Sequence, residues 1–237
     1  MSSSGARAIF FDAGNTLVYP QLDERVSDLA AAGFAVRIED FYEAERLAKK
    51  RLDQWMWPQI RRGDVPRTVD REYWAYFLSA LMEVIGAPAA EHTRLTRLVY
   101  DGFRDIRCWC VVPPEIPAYL SSLKDRGFFL GVISNSGGKL EEQLRQLKLR
   151  DYFDAVVDSA IVGVEKPHPE IFHLALEGAR IKRDEAIFVG DTHAIDVGGA
   201  RLAGLRGVLI DRVGAYPDVK CRRITSLPEL DDVLASP

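Results

Sequence analysis

Ala8-Ile9-Phe10-Phe11-Asp12-Ala13-Gly14-Asn15-Thr16-Leu17 reads as a short apolar run that stops on a carboxylate and enters a glycine-containing turn. Ala8–Phe11 does not alternate between apolar and polar residues. That is the pattern of a strand buried on both faces, as in parallel sheets. Four later runs share it: Phe128–Ile133, Ala155–Val157, Ala186–Val189 and Gly207–Ile210. From residue 114 onward the runs alternate with helical patterns. These cover about Glu115–Arg126 (stopped by Gly127), Lys139–Lys148, a helix opening at Pro169, and roughly Ile195–Leu202. Strand–helix alternation of this kind predicts an α/β fold, a parallel sheet with helices on both faces.

Residues 21 to 107 break the rhythm and contain no convincing strand. Ile38, Phe41, Ala44, Ala48, Leu52 and Trp55 recur at helical steps, as do Trp74, Phe77, Leu81 and Val84. Leu95, Leu98, Val99 and Gly102 continue the pattern, and a shorter helix is expected over Asp23–Ala32, ending at Gly33. The expectation is an inserted α-helical bundle, 19–107, interrupting a discontinuous core, 1–18 with 108–237. The crossings near Tyr19-Pro20 and Val112-Pro113-Pro114 read as hinges.

Composition narrows the partners. The chain has 237 residues, 47% apolar, and its 31 basic against 35 acidic residues leave a net charge of −4. A chain of this length can bury a core without disulfides. Its charge gives no reason to expect nucleic acid or an anionic membrane as partner. No run approaches the roughly 18 apolar residues needed to cross a bilayer. Met1–Gly5 lacks a secretory pattern and reads as a flexible lead-in. Three cysteines, Cys108, Cys110 and Cys221, form no disulfide framework and point to a reducing cytoplasm. Cys108-x-Cys110 reads as two ordinary thiols, because no second Cys/His pair stands at ligand spacing.

The apolar runs end in motifs that carry chemistry. In an open parallel sheet, ligands sit beyond the carboxyl ends of the strands. Asp12 ends the first strand and is a candidate nucleophile for phosphorus. Ser134 and the following backbone amides, including that of Asn135, are candidates to bind phosphate oxygens. Lys166, stiffened between Glu165 and Pro167, is a candidate cation for the acidic cluster and the transferring group. Asp191 and Asp196, in Gly190-Asp191-Thr192-His193-Ala194-Ile195-Asp196, would repel Asp12 unless a divalent ion lies between them. Mg²⁺, which takes carboxylates together with phosphate oxygens, suits that task. Asp196 as a helix N-cap is the plainer alternative.

In these four motifs the chain resembles the haloacid dehalogenase (HAD) superfamily, in the subfamily whose helical cap follows the first strand. The resemblance is strict at the motifs and loose across the insertion. It implies a Rossmann-like core and an Asp12 nucleophile. Ser134, Lys166 and Asp191 take the other motif roles, with Asp196 at the second acidic position of the last motif. It also implies Mg²⁺ bound in part by the backbone carbonyl of Gly14. The activity implied is hydrolysis of a small phosphorylated metabolite through an aspartyl-phosphate, by a cytoplasmic monomer or homodimer.

One departure bears on the reaction. Phosphatases of this superfamily usually carry a second aspartate two residues after the nucleophile, as general acid and base. Here that residue is Gly14. Such proton transfer is worth about 10²–10⁴ in rate, and its loss falls hardest on alkyl phosphates. Three readings follow: a phosphatase using another proton donor such as His193, a 2-haloacid dehalogenase, or a catalytically weak binding or regulatory protein. The paired acidic loop weighs against the second, and the intact Asp12, Lys166 and Asp191 against the third. If only proton transfer is missing, Gly14→Asp is expected to restore alkyl phosphate hydrolysis. The inserted helices, with a basic cluster (Lys49, Lys50, Arg51, Arg61, Arg62, Arg67, Arg71) and several aromatics, are expected to set substrate choice. Most of those side chains read as solvated face or bundle core.

Overall fold

The computed structural model describes residues 5–235, so most of the expected N-terminal lead-in lies outside it. Its six-stranded sheet contains the expected runs with small shifts of boundary. The strands are β1 (Ala8–Phe11), a short β2 (Tyr19–Pro20), β3 (Trp109–Val111), β4 (Phe129–Ser134), β5 (Ala155–Asp158), β6 (Ala186–Gly190), β7 (Arg206–Ile210) and β8 (Arg222–Ile224). The sheet order is β5-β4-β1-β6-β7-β8, every pairing parallel. β1 is thus central, and Asp12 follows it directly.

The pleat explains why these runs do not alternate. Ile9 and Phe11 face one layer with Leu130, Val132, Ile187 and Val189. Ala8 and Phe10 face the other with Ile133, Ala186 and Phe188. Helix α5 (Glu115–Asp125), α6 (Leu140–Gln146) and the last helix cover the first layer. Helix α8 (Pro169–Ala179) and α9 (Gly199–Leu202) cover the second. A short α7 (Ser159–Val162) follows β5, and α10 (Leu230–Ala235) closes the described chain. The edge strand β8 was not apparent as an apolar run, because two of its three residues are exposed arginines.

The insertion consists of α1 (Leu22–Ala31), α2 (Ile38–Arg62), α3 (Asp70–Val84) and α4 (His92–Arg104). Phe41, Ala44, Ala48, Phe77, Leu81, Leu95, Val99 and Phe103 form its own apolar core. Helix α2 runs beyond the expected Trp55 and carries Pro58 in its interior. An interior proline costs a helix a hydrogen bond; here Leu52, Met56 and Ile60 hold the extension by packing on Ala194 and Ile195. The two chain crossings do not run separately. Tyr19–Pro20 pairs antiparallel with Trp109–Val111 as a small ribbon between the insertion and the sheet.

Candidate active site

Asp12, Asp191 and Asp196 converge at the carboxyl ends of β1 and β6. Carboxylate oxygens of the three lie within 4.8 Å of one another, and all three residues are buried. The backbone N–H of Asp12 donates to the Val189 carbonyl at 2.8 Å, which ties the end of β1 to the strand that leads into the acidic loop. Gly190 is required by this approach. A Cβ there would lie 2.4 Å from Cγ of Asp196, so any side chain would displace the carboxylate.

Asp196 lies within a wide π-type turn, His193–Gly198, rather than capping a helix from outside. Its Oδ2 accepts from the Thr192 backbone N–H at 2.8 Å, and its Oδ1 accepts from Lys166 Nζ at 2.7 Å. Lys166 Nζ also donates to Asp12 Oδ1 at 2.6 Å and stands 5.0 Å from the centre of the Phe188 ring. The lysine expected as a cation therefore bridges two of the three carboxylates. Asn135 fixes it in place: its Nδ2 donates to the Lys166 carbonyl at 2.9 Å, and its Oδ1 accepts from the Lys166 N–H at 2.8 Å. The Asn135 side chain thus positions Lys166, a role separate from the phosphate contact expected of its backbone amide. Ser134 ends β4 and lines the same cavity as Asp12, Gly14, Asn135, Lys166, Asp191 and Asp196. The cavity holds about 690 Å³.

The electrostatics follow from crowding. Burial pushes the Asp12 carboxyl up to about 7; Lys166 opposes the rise, and Asp196 and Asp191 add to it. Burial raises Asp196 as well, against the pull of Lys166. Burial disfavours the Lys166 ammonium, but Asp12 and Asp196 outweigh it and hold the proton more firmly than usual. Such a cluster, all oxygen donors with a surplus of negative charge, has the chemistry that a hard divalent cation needs. Asp12, Asp191 and Asp196 are the residues that could hold it, with the Gly14 carbonyl at the cavity wall.

Sequence reasoning missed a second cation. Lys49, expected within a largely solvated basic cluster, is 1% exposed. Its Nζ lies 2.8 Å from Asp191 Oδ2 and 2.6 Å from Glu45 Oε1. Burial works against its charge, yet Asp191 and Glu45 hold it well above the usual lysine range. The signal was present: Glu45, Lys49, Leu52, Met56 and Ile60 fall on one helical face, so a charged pair interrupts an apolar stripe. Arg51 and Arg67 do behave as surface residues, paired with Glu83 and Glu170.

His193 is turned away from the reaction. Its Nδ1 is 2.7 Å from Asp53 Oδ2 and 2.9 Å from Trp57 Nε1, and its ring packs on Trp57 and Tyr216. It is not among the residues lining the cavity. Asp53 also accepts the Ala194 N–H at 2.9 Å, so the pair docks α2 onto the acidic loop rather than serving proton transfer.

At Gly14 a side chain would meet Trp109 closely. A Cβ there would lie 3.2 Å from Cζ3 of Trp109. Gly14→Asp therefore needs the Trp109 ring to give by a few tenths of an ångström.

A family model for haloacid dehalogenase-like hydrolases matches residues 6–204. A phosphoserine phosphatase of Thermus thermophilus is 34% identical over 90% of this chain and 84% of its own length. A haloacid dehalogenase-like hydrolase domain-containing protein 3 of Xenopus laevis is 33% identical over 70% of this chain and 66% of its own. A glyceraldehyde 3-phosphate phosphatase of Pyrococcus furiosus is 37% identical over 71% of this chain and 66% of its own. Among solved structures, a magnesium-bound HAD hydrolase of Bacillus subtilis superposes with a TM-score of 0.62 at 20% identity, over 97% of this chain and 98% of that one. A 2-haloacid dehalogenase of Pseudomonas syringae superposes with a TM-score of 0.56 at 24% identity, over 97% and 98%. At these identities the structural matches speak for the fold alone. The chain belongs to the haloacid dehalogenase-like hydrolases.

Proposed function

We propose that this chain is a Mg²⁺-dependent phosphatase of a small phosphorylated metabolite, with Asp12 as nucleophile and an aspartyl-phosphate intermediate. One observation carries the reading: Asp12, Asp191 and Asp196 share a cavity floor with Lys166 and Ser134. The phosphatase names of three relatives, a ribulose-1,5-bisphosphate 5-phosphatase at 27% identity among them, support it.

Asp12 attacks phosphorus. Lys166 holds the Asp12 carboxylate and meets the charge of the incoming phosphoryl group, with Asp196 keeping the ammonium aimed. The Ser134 hydroxyl and the Asn135 amide bind phosphoryl oxygens. When bound between Asp12, the Gly14 carbonyl, Asp191 and Asp196, Mg²⁺ supplies screening of the nucleophile and orientation of the transferring group. Water then cleaves the aspartyl-phosphate. In this reading 19–107 acts as a cap over a core of 1–18 and 108–237, and its closure keeps bulk water out. A cytoplasmic setting fits the unpaired thiols, and no helix among the described residues is long and apolar enough to cross a membrane.

A second reading, metal-independent dehalogenation, is favoured by one observation: Lys49 and Lys166 already place two ammonium groups on the acidic cluster. The two separate in one assay. Phosphate release from p-nitrophenyl phosphate and chloride release from 2-chloropropionate are measured with Mg²⁺ and with EDTA. Phosphate release that needs Mg²⁺ and falls by on the order of 10⁴-fold or more in Asp12→Asn supports the proposal. Chloride release in EDTA with no phosphate release refutes it.

A further inference from the structure

The floor of the cavity accounts for the phosphoryl group and leaves the other end of the substrate open. That end is walled by aromatic rings. Trp109 stands over Gly14, its Nε1 donates to the Phe103 carbonyl at 3.0 Å, and its own carbonyl accepts from Gln143 Nε2 at 2.9 Å. The wall continues from ring to ring: Trp109 to Phe103 at 6.2 Å, Phe103 to Trp74 at 5.4 Å, and Trp74 to Tyr100 at 5.5 Å between centroids. All four rings line the cavity that holds Asp12, and Trp74, Tyr100 and Trp109 are only half-buried. This aromatic surface is turned toward whatever the phosphate is attached to.

Gly14 gives a second, independent constraint. It offers no proton to the departing oxygen, and a Cβ there would already touch the Trp109 ring at 3.2 Å. A group that leaves unprotonated must be a weak base. A phenol, with a pKa near 10, meets that requirement far better than an alcohol, which ionises close to water's value of about 15.7.

Building on the phosphatase reading, we propose that the substrates of this site are aryl phosphate monoesters, their aromatic leaving group stacked against Trp109. In the first step a bond forms between an Asp12 carboxylate oxygen and phosphorus. The bond from phosphorus to the aryl oxygen breaks, and the aryl oxide departs with the electron pair and takes a proton from solvent. In the second step a water oxygen bonds to phosphorus and the Asp12–phosphorus bond breaks. The Asp12 carboxylate is restored, phosphate is released, and the proton of the attacking water passes to solvent. Aryl phosphate and water thus give phenol and phosphate.

The test compares kcat/KM of the full-length, Mg²⁺-loaded enzyme for phenyl phosphate and 1-naphthyl phosphate with that for O-phosphoserine and glyceraldehyde 3-phosphate. The aryl esters are expected to lead by about 10²-fold or more, the lower end of what general-acid help is worth. Trp109→Ala is expected to lower kcat/KM for the aryl esters about tenfold through KM, so that their lead over the alkyl esters narrows, with Trp109→Phe retaining it. Alkyl esters turned over as well as aryl ones, with p-nitrophenyl phosphate hydrolysed, overturn the aryl assignment and leave the phosphatase reading standing. No turnover of any ester, p-nitrophenyl phosphate included, overturns both. An aryl lead that is undiminished in Trp109→Ala overturns the stacking role. Because the wild-type comparison needs no variant, misfolding of Trp109→Ala would not shelter the proposal.

Discussion

Asp12, Ser134, Lys166 and Asp191 reach the cavity from strand ends or from loops just beyond the sheet, whereas Lys49, Asp53 and Trp74 approach from the faces of inserted helices. The first group depends on short-range geometry: a buried strand stops, and the next residue points out of the sheet edge. The second depends on how two helices pack over that edge. The Asp191–Asp196 loop is where they meet. Lys166 grips it from the sheet side through Asp196, and Lys49 grips it from the insertion through Asp191. The difference teaches that the acidic cluster is balanced from two sides, by one cation bound to the core and one carried on an inserted helix.

The largest effect expected on that comparison is at Lys166. Lys166→Met leaves Asp12 and Asp196 buried with no cation between them, and removing one partner of a buried pair costs about 3–5 kcal/mol. Urea unfolding in EDTA should show a loss of that order. A change within experimental error would mean that the carboxylates are solvated and the pair is not a structural contact.

A smaller effect is expected at Lys49. Lys49→Met removes a positive charge 2.8 Å from Asp191 and leaves Glu45 unpaired. Mg²⁺ binding by titration calorimetry should tighten on the order of tenfold, a discounted estimate for one buried charge near the site. Equal or weaker affinity would show that Lys49 and Mg²⁺ do not compete. Either result sharpens the contrast between the two lysines.

The smallest effect expected is in the pH dependence. Asp12 is held at about 7, above its ordinary value of 3.8, so the folded, metal-free protein keeps a proton that the unfolded chain releases. That contribution to stability is complete below the unfolded value and is lost as pH rises through about 7. Asp12→Asn lacks the group, so in EDTA its stability relative to wild type should increase between pH 5 and pH 8. A constant difference would place Asp12 as an ordinary carboxylate.

The same contrast explains what could be read from the sequence. β1, β4, β5, β6 and β7 were legible because strands buried on both faces are continuously apolar, and a residue ending such a strand must lie at the sheet edge. Asp12, Ser134 and Asp191 were legible for that reason, and Lys166 and Asp196 from the motif segments in which they stand. β8 was hidden because edge strands do not need apolar residues. Lys49 was hidden because a lysine in a helix reads as surface until its partner, 142 positions later in Asp191, is known to fold against it. Trp109 over Gly14 was hidden for the same reason: the missing aspartate shows in the sequence, but the ring packed beside Gly14 does not. His193, beside the acidic motif, was a candidate for proton transfer by location. Asp53, and Trp57 from the continuation of α2 past Trp55, take it elsewhere.

The most direct test of the central claim is a crystal structure of the protein soaked with Mg²⁺ and beryllium fluoride, a mimic of the phosphoryl group. The account predicts the beryllium fluoride bonded to an Asp12 carboxylate oxygen, in reach of Ser134 and Lys166, with Mg²⁺ held by Asp12, the Gly14 carbonyl, Asp191 and Asp196. Beryllium fluoride bound elsewhere, or an Asp12 still engaged only with Lys166 at saturating Mg²⁺, would contradict it.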